Sequence, residues 1–232
     1  MKTRLEVPLG DETYSFEMGD KRAIGNGKKS WAARCRVPVS GKLALRNIKC
    51  VENDLEARTT VTDAGETGYS EIVLEGTASS TSVDWHGTEM TREALENMMA
   101  QFKKGVPYVP SHTDDEWNDV FGQTFDAEMI AESVSRPGEA PDAPGDGITL
   151  RVKTTLDKDH PMSKRLVNAV TSGRVIGWSI GGWFTDMEFI MSEDDEIERI
   201  LIMGVDLDHL ATTRRPSNPD SWISEIQRSM SD

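Results

Sequence analysis

The pattern of apolar and polar positions changes about a third of the way along the chain. Up to about residue 70, short strand-like runs alternate with polar turns. Arg34–Val39 and Lys42–Leu45 read as strands around a Ser40-Gly41 turn, and Gly25–Lys29 reads as a loop. The run Glu52-Asn53-Asp54-Leu55-Glu56 and the low hydrophobicity around it predict a loosely attached extension. From about Ser70 the signals sharpen. Ile72–Ala78 predicts a strand. Leu95, Met98, Met99 and Phe102 fall at i, i+3, i+4 and i+7, which predicts a helix over Thr91–Lys104 that stops at Gly105. The prolines of Val106–Pro110 bias their predecessors toward extended geometry. Val120–Ile130 and Gly147–Leu156 predict two strands joined by the surface loop Arg136–Asp146. A second helix is expected from Pro161, a residue favoured at the first helical position, to Gly173. Strands are expected again at Val175–Phe184 and Ile197–Thr213, across the acidic turn Ser192–Glu196, followed by a short helix within Ser221–Gln227. These elements make a β-rich α+β domain with two main helices.

Composition narrows the class. At 232 residues, 37% of them hydrophobic, the chain can bury a sizeable core. No stretch reaches the roughly 18–20 apolar residues of a membrane helix, and Met1–Asp20 lacks the apolar centre of a signal peptide. A soluble protein that begins in the cytoplasm is expected, and Cys35 and Cys50, with no CxxC spacing, are expected as free thiols. A net charge of −14 disfavours nucleic acid as a partner. It suits partners with basic patches, although solubility alone accounts for it.

Three segments could carry chemistry. In Pro110-Ser111-His112-Thr113-Asp114-Asp115 a histidine ends an extended run. In Gly177–Trp183, strand alternation puts Ile176, Trp178, Ile180 and Phe184 on one face and Gly177, Ser179 and Gly181 on the other. One hydroxyl then stands between two positions without side chains, where a substrate backbone could lie close and backbone N–H groups stay accessible. Glycine-flanked serines in strands are also common without any catalytic role. In Asp206–Pro219, His209 shares parity with Val205, Leu207 and Ala211. A satisfied core histidine is therefore its ordinary reading, and Arg214 and Arg215 can simply be solvated charges. His86, in the turn Asp84-Trp85-His86-Gly87, and His160, just before the second helix, read as structural.

The order of an isolated His, a G-x-S-I-G-G strand and an L-x-H-L-A-x-T-x-x-P-S-N-P ending resembles the tailed-phage prohead maturation proteases. That family in turn is similar to the herpesvirus assemblins. The resemblance covers about Ile72–Trp222 and includes Leu74–Ala78, Phe121-Gly122-Gln123 after His112, and the helix Ser163–Gly173 before the serine strand. It implies a β-barrel decorated by helices, with residues 1–70 as an extension, 71–222 as the protease domain and 223–232 as a tail. It also implies a serine endopeptidase that cleaves scaffold and capsid proteins, and itself, during virion assembly inside the prohead in the host cytoplasm. The chain would need no cofactor or metal, would bind neither nucleic acid nor membrane, and could self-associate into a homo-oligomer.

By residue, the resemblance makes Ser179 the nucleophile and His112 its base. The third position aligns with His209, where the phage members usually carry glutamate and the assemblins histidine. Asp208 is the chemical alternative, because a carboxylate is the commoner orienting partner. Arg214 and Arg215 are implied in binding the oxyanion. Two other classes compete. One is a catalytically silent assembly protein with the same fold. The other is a metal hydrolase built on His112, Asp114, Asp115 and a distant histidine, which lacks any familiar ligand spacing.

Overall fold

The computed structural model describes residues 4–9, 12–24, 28–38, 60–62, 69–112, 120–134, 145–192, 194 and 196–230. Among these, twelve strands and two helices alternate along the chain. They are β1 (Arg4–Leu9), β2 (Glu12–Ile24), β3 (Lys28–Pro38), β4 (Thr60–Thr62), β5 (Tyr69–Ser80), β6 (Thr88–Met90), α1 (Arg92–Phe102), β7 (Pro107–Val109), β8 (Gly122–Val134), β9 (Gly145–Leu156), α2 (Pro161–Thr171), β10 (Gly177–Met191), β11 (Ile197–Thr213) and β12 (Ile223–Met230). The class is α+β and mostly sheet, as the sequence pattern predicts. Lys42–Leu45 and the greater part of the Arg136–Asp146 loop lie outside the described residues.

The helices begin and end where their chemistry directs. Thr91 caps α1 through its side chain, which accepts from the Ala94 N–H at 3.2 Å, and Ala94, Leu95, Met98 and Phe102 form the buried stripe. His160 caps α2, its Nδ1 accepting from the Met162 N–H at 3.2 Å, with Pro161 at the first helical position. The core gathers around Trp178, Tyr108 and Phe121. Tyr108 stacks tilted on Phe121 at 4.6 Å and meets Trp178 edge-on at 6.1 Å. Burying each such ring stabilises the fold by about 2–3 kcal/mol. The Trp178 indole donates to the Tyr108 hydroxyl at 3.0 Å, and that hydroxyl shares a hydrogen bond with Thr212 Oγ1 at 2.8 Å. β7, β10 and β11 are thereby pinned to one another directly beneath the serine strand.

The barrel implied by the resemblance does not close. Strand order is β1-β2-β3-β10-β11-β7-β8-β9-β5-β12-β4, an open sheet with β6 pairing β11 off that path. The cause lies along the outer edge of β10. From Trp183 to Met191 that edge is occupied by β3. At the other end, Pro216–Asp220 bends before β12 begins, so among the described residues only the isolated bridge Gly177↔Trp222 reaches across. Between these two partners the sheet has a seam.

Two further expectations change. Ser221–Gln227 is not a short helix: β12 starts at Ile223 and pairs with β5 along its length, so the segment set aside as a tail supplies a strand of the sheet. The N-terminal region also joins the sheet, β3 pairing with both β2 and β10. β10 runs seven residues beyond its expected end at Phe184, because β3 and β11 flank it on both sides and satisfy its backbone groups there.

Candidate active site

β10 and β11 pair antiparallel with Ser179 opposite Ala211 and Gly181 opposite His209. Side chains of directly opposed residues share a face. Ser179, Gly181 and His209 therefore line one face, while Trp178 and Ile180 are buried on the other. The sequence alternation predicts this arrangement of β10.

Alternation fails at one point, and that point sets the site. Register slips between Gly181 and Gly182, which oppose His209 and Leu207, so Asp208 is an extra residue in a β-bulge. Gly182 has φ +144, and a Cβ there would lie 2.1 Å from the Asp206 carbonyl, so a glycine is required. The bulge is held from the side by α1. Gln101 donates to the Val205 carbonyl at 2.7 Å and accepts from the Leu207 N–H at 2.8 Å, and Asn97 accepts from the Val205 N–H at 3.2 Å. These two amides fill the stretch of β11 edge between its pairings with β6 and β7.

His209 lies across Gly181. A Cβ on Gly181 would sit 2.2 Å from His209 Nε2 and 2.4 Å from its Cε1, so the missing side chain makes the space the imidazole fills. His112 arrives from the other side. β7 runs parallel to β11 with Val109 beside Ala211, which delivers the following turn to His209. There His112 Nδ1 and His209 Nε2 share a hydrogen bond of 2.8 Å, with ring centres 5.1 Å apart. Burial, and after it repulsion from His209, hold the His112 imidazole below the ordinary histidine range, so it is a neutral base over most of the near-neutral range.

The structure thus brings His112 and His209 together on the Ser179 face. Among the described residues no hydrogen bond joins the Ser179 hydroxyl to either imidazole. Asp208, the alternative partner, is exposed in the bulge and makes no side-chain contact with His112 among the described residues. Arg214 and Arg215 are exposed in the bend just past Thr213, which opposes Gly177; the Arg215 N–H donates to Thr213 Oγ1 at 3.1 Å. Asp114 and Asp115 lie outside the described residues, so the metal reading keeps His112 and a distant histidine within them, and no cluster of three or more metal-ligating side chains occurs among the described residues. His160 serves as the cap of α2.

One cluster escaped the reading of the sequence. Asp84 Oδ1 accepts from the N–H groups of His86 (2.9 Å) and Thr88 (2.8 Å), and Oδ2 accepts from the Thr88 hydroxyl (2.8 Å). His86 Nε2 meets Ser217 Oγ at 3.1 Å. Next to it, Asp220 Oδ2 accepts from the hydroxyls of Ser80 and Ser82 at 2.5 and 2.6 Å. The Asp-x-His-x-Thr spacing of a capped turn was there to be read, but its partners stand more than 130 residues away. A scan against protein-family models, a search of curated proteins and a search of solved structures each find no match to this chain.

Proposed function

We propose that this chain is a serine endopeptidase of the prohead-maturation type, with Ser179 as nucleophile, His112 as base and His209 as the residue that orients the base. The observation that carries the reading is the 2.8 Å bond between His112 Nδ1 and His209 Nε2, on the face of β10 that bears Ser179. A neutral imidazole donates through one nitrogen and accepts through the other. If His112 donates from Nδ1 to His209, its Nε2 keeps the lone pair a base needs.

The Ser179 oxygen adds to the scissile carbonyl while His112 Nε2 takes the hydroxyl proton. The tetrahedral intermediate collapses to an acyl-enzyme, and the leaving amine takes that proton from His112. A water molecule then repeats the sequence and frees Ser179. In this reading the Ser179–His112 hydrogen bond forms when substrate binds, since catalytic bonds are often long or unmade in the free enzyme. His209 fixes the tautomer of His112 and faces the imidazolium at each transfer. Arg214 and Arg215, placed where β11 runs out beside the serine strand, supply positive charge for the oxyanion.

The assemblin-like fold belongs to the same reading. The sheet is then a barrel of that kind opened at the seam between β10 and β12, and the Gly177↔Trp222 bridge is what supports this. Substrates would be the scaffold and capsid proteins of an assembling prohead, including this chain itself.

A fluorophosphonate probe tests the chemistry directly. One adduct on Ser179 in the intact protein, absent from Ser179→Ala, is the expected result, and with it a loss of several orders of magnitude in turnover. A folded protein that never labels and never cleaves would instead be a silent assembly protein.

A further inference from the structure

The seam in the sheet holds a shallow recess, open to solvent, and Ser179 forms part of its wall. It therefore begins at the nucleophile proposed above, on the side away from the two imidazoles. Trp178 shows why the edge of β10 is open here. Its N–H turns away from β11 to the Ser221 carbonyl at 3.0 Å, and by alternation the backbone of Ile180 turns the same way. Among the described residues β3 pairs from Trp183 onward.

The lining has two characters. Met90, Ile180 and Phe184 make it apolar, while Ser79, Asp84 and Ser217 make it polar. Asp84 is satisfied in hydrogen bonds, and among the described residues no lysine or arginine pairs with it; His86 is the group that acts on its charge. Desolvation raises its carboxyl above the ordinary range, outweighing the hydrogen bonds from Thr88 and the charge of His86. Ser79 lines the recess, and among the described residues its hydroxyl makes no hydrogen bond. It can accept from an incoming donor in place of water.

We propose that this recess receives the substrate side chain next to the scissile bond, and that it takes a basic one, lysine or arginine. The inference rests on the endopeptidase reading. The fit is chemical. A long aliphatic stem covers the apolar wall, and its cationic head carries several N–H donors and no acceptor, for Asp84, Ser79 and Ser217. An acidic side chain would face Asp84 with like charge, and an uncharged aliphatic one would leave both Asp84 and Ser79 unanswered.

Peptidyl diphenyl phosphonates that differ only in the residue beside phosphorus (lysine, arginine, norleucine or glutamate) test this, read as the rate of Ser179 modification by intact mass. The basic probes should react at least about tenfold faster than norleucine, and glutamate slowest. In Asp84→Asn the ratio of lysine to norleucine should fall below about threefold. His86→Lys, which sets a resident cation in the recess, should lower the same ratio and carries the test if Asp84→Asn does not fold. Norleucine or glutamate reacting as fast as lysine would overturn the proposal, as would a preference that survives both variants. If Ser179 reacts with no probe, including a fluorophosphonate without a side chain, the endopeptidase reading fails first and takes the pocket with it.

Discussion

Two histidines of this chain bond to partners far away in sequence, and their surroundings differ. His86 joins Ser217 within a dense set of bonds, where Asp84 caps the turn and Asp220 ties Ser80 and Ser82 to the Pro216–Asp220 bend. The bonds of Asp84 close its own turn, and those of His86 and Asp220 hold the bend against the edge of the sheet. His112 joins His209 with no carboxylate in contact among the described residues, above a glycine whose missing side chain makes the room, and beside a serine with no hydrogen bond to either ring. Removing the second pair would leave the sheet intact, whereas removing the first cluster would release the bend. A histidine pair on the face that bears the serine is the better place to look for chemistry.

The sharpest way to break this contrast is Gly181→Ala. Its methyl group would occupy the position of His209 Nε2, and because the clash is with a side chain rather than backbone, His209 should swing aside and the fold survive. Because His209 is bonded to His112, the displaced ring should carry the base with it, and turnover should fall about 100-fold, more than the loss of His209 alone would cause, with a near-normal melting temperature. An active Gly181→Ala protein would mean that His209 has no part in the chemistry. Asp220→Ala should show the opposite profile. Losing two short bonds to a carboxylate should cost about 2 kcal/mol of stability, seen as a lower denaturation midpoint. Turnover per folded molecule should change much less.

Smaller effects separate the two candidates for the third role. His209→Ala should lower turnover about 10-fold, since a neutral histidine stabilises the imidazolium less than a carboxylate would. Asp208→Ala, at an exposed bulge position, should stay within about twofold of the parent. If Asp208→Ala were the crippled variant, the triad would be Ser-His-Asp.

The mildest effect is in pH. Because the His112 value is lowered in the folded state, the base stays deprotonated below the ordinary value of about 6.5, and activity should persist into mildly acidic solution. The His209→Ala profile should move its acid limb upward, because repulsion from His209 is one of the causes of the lowering. Linkage gives the accompanying stability change. The contribution of His112 is fully present above its unfolded value of about 6.5 and is lost as the pH falls through its depressed folded value. Urea midpoints measured across that window should decline in the parent and decline less in His112→Gln.

Local sequence signals determined both helices (spacing for α1, Pro161 and Gly173 for α2), the strands β5, β8, β9 and β11, and the division of β10 into a buried Trp178/Ile180 face and an open Ser179 face. These follow from side-chain spacing and capping, which act within a few residues. The ordered set of His112, Ser179 and His209 was legible as a resemblance, but not as a geometry. Whether His209 or Asp208 meets His112 could not be read from alternation, because the bulge at Asp208 resets it, and the bulge is held by Asn97 and Gln101 from a helix more than 100 residues away. The same is true of the open sheet. Closure depended on which strand takes the outer edge of β10, and β3 takes it beyond Trp183 while the Pro216–Asp220 bend delays β12. Local preference decides what each segment becomes; competition among distant backbone edges decides which segments meet, and here that competition leaves the seam beside Ser179.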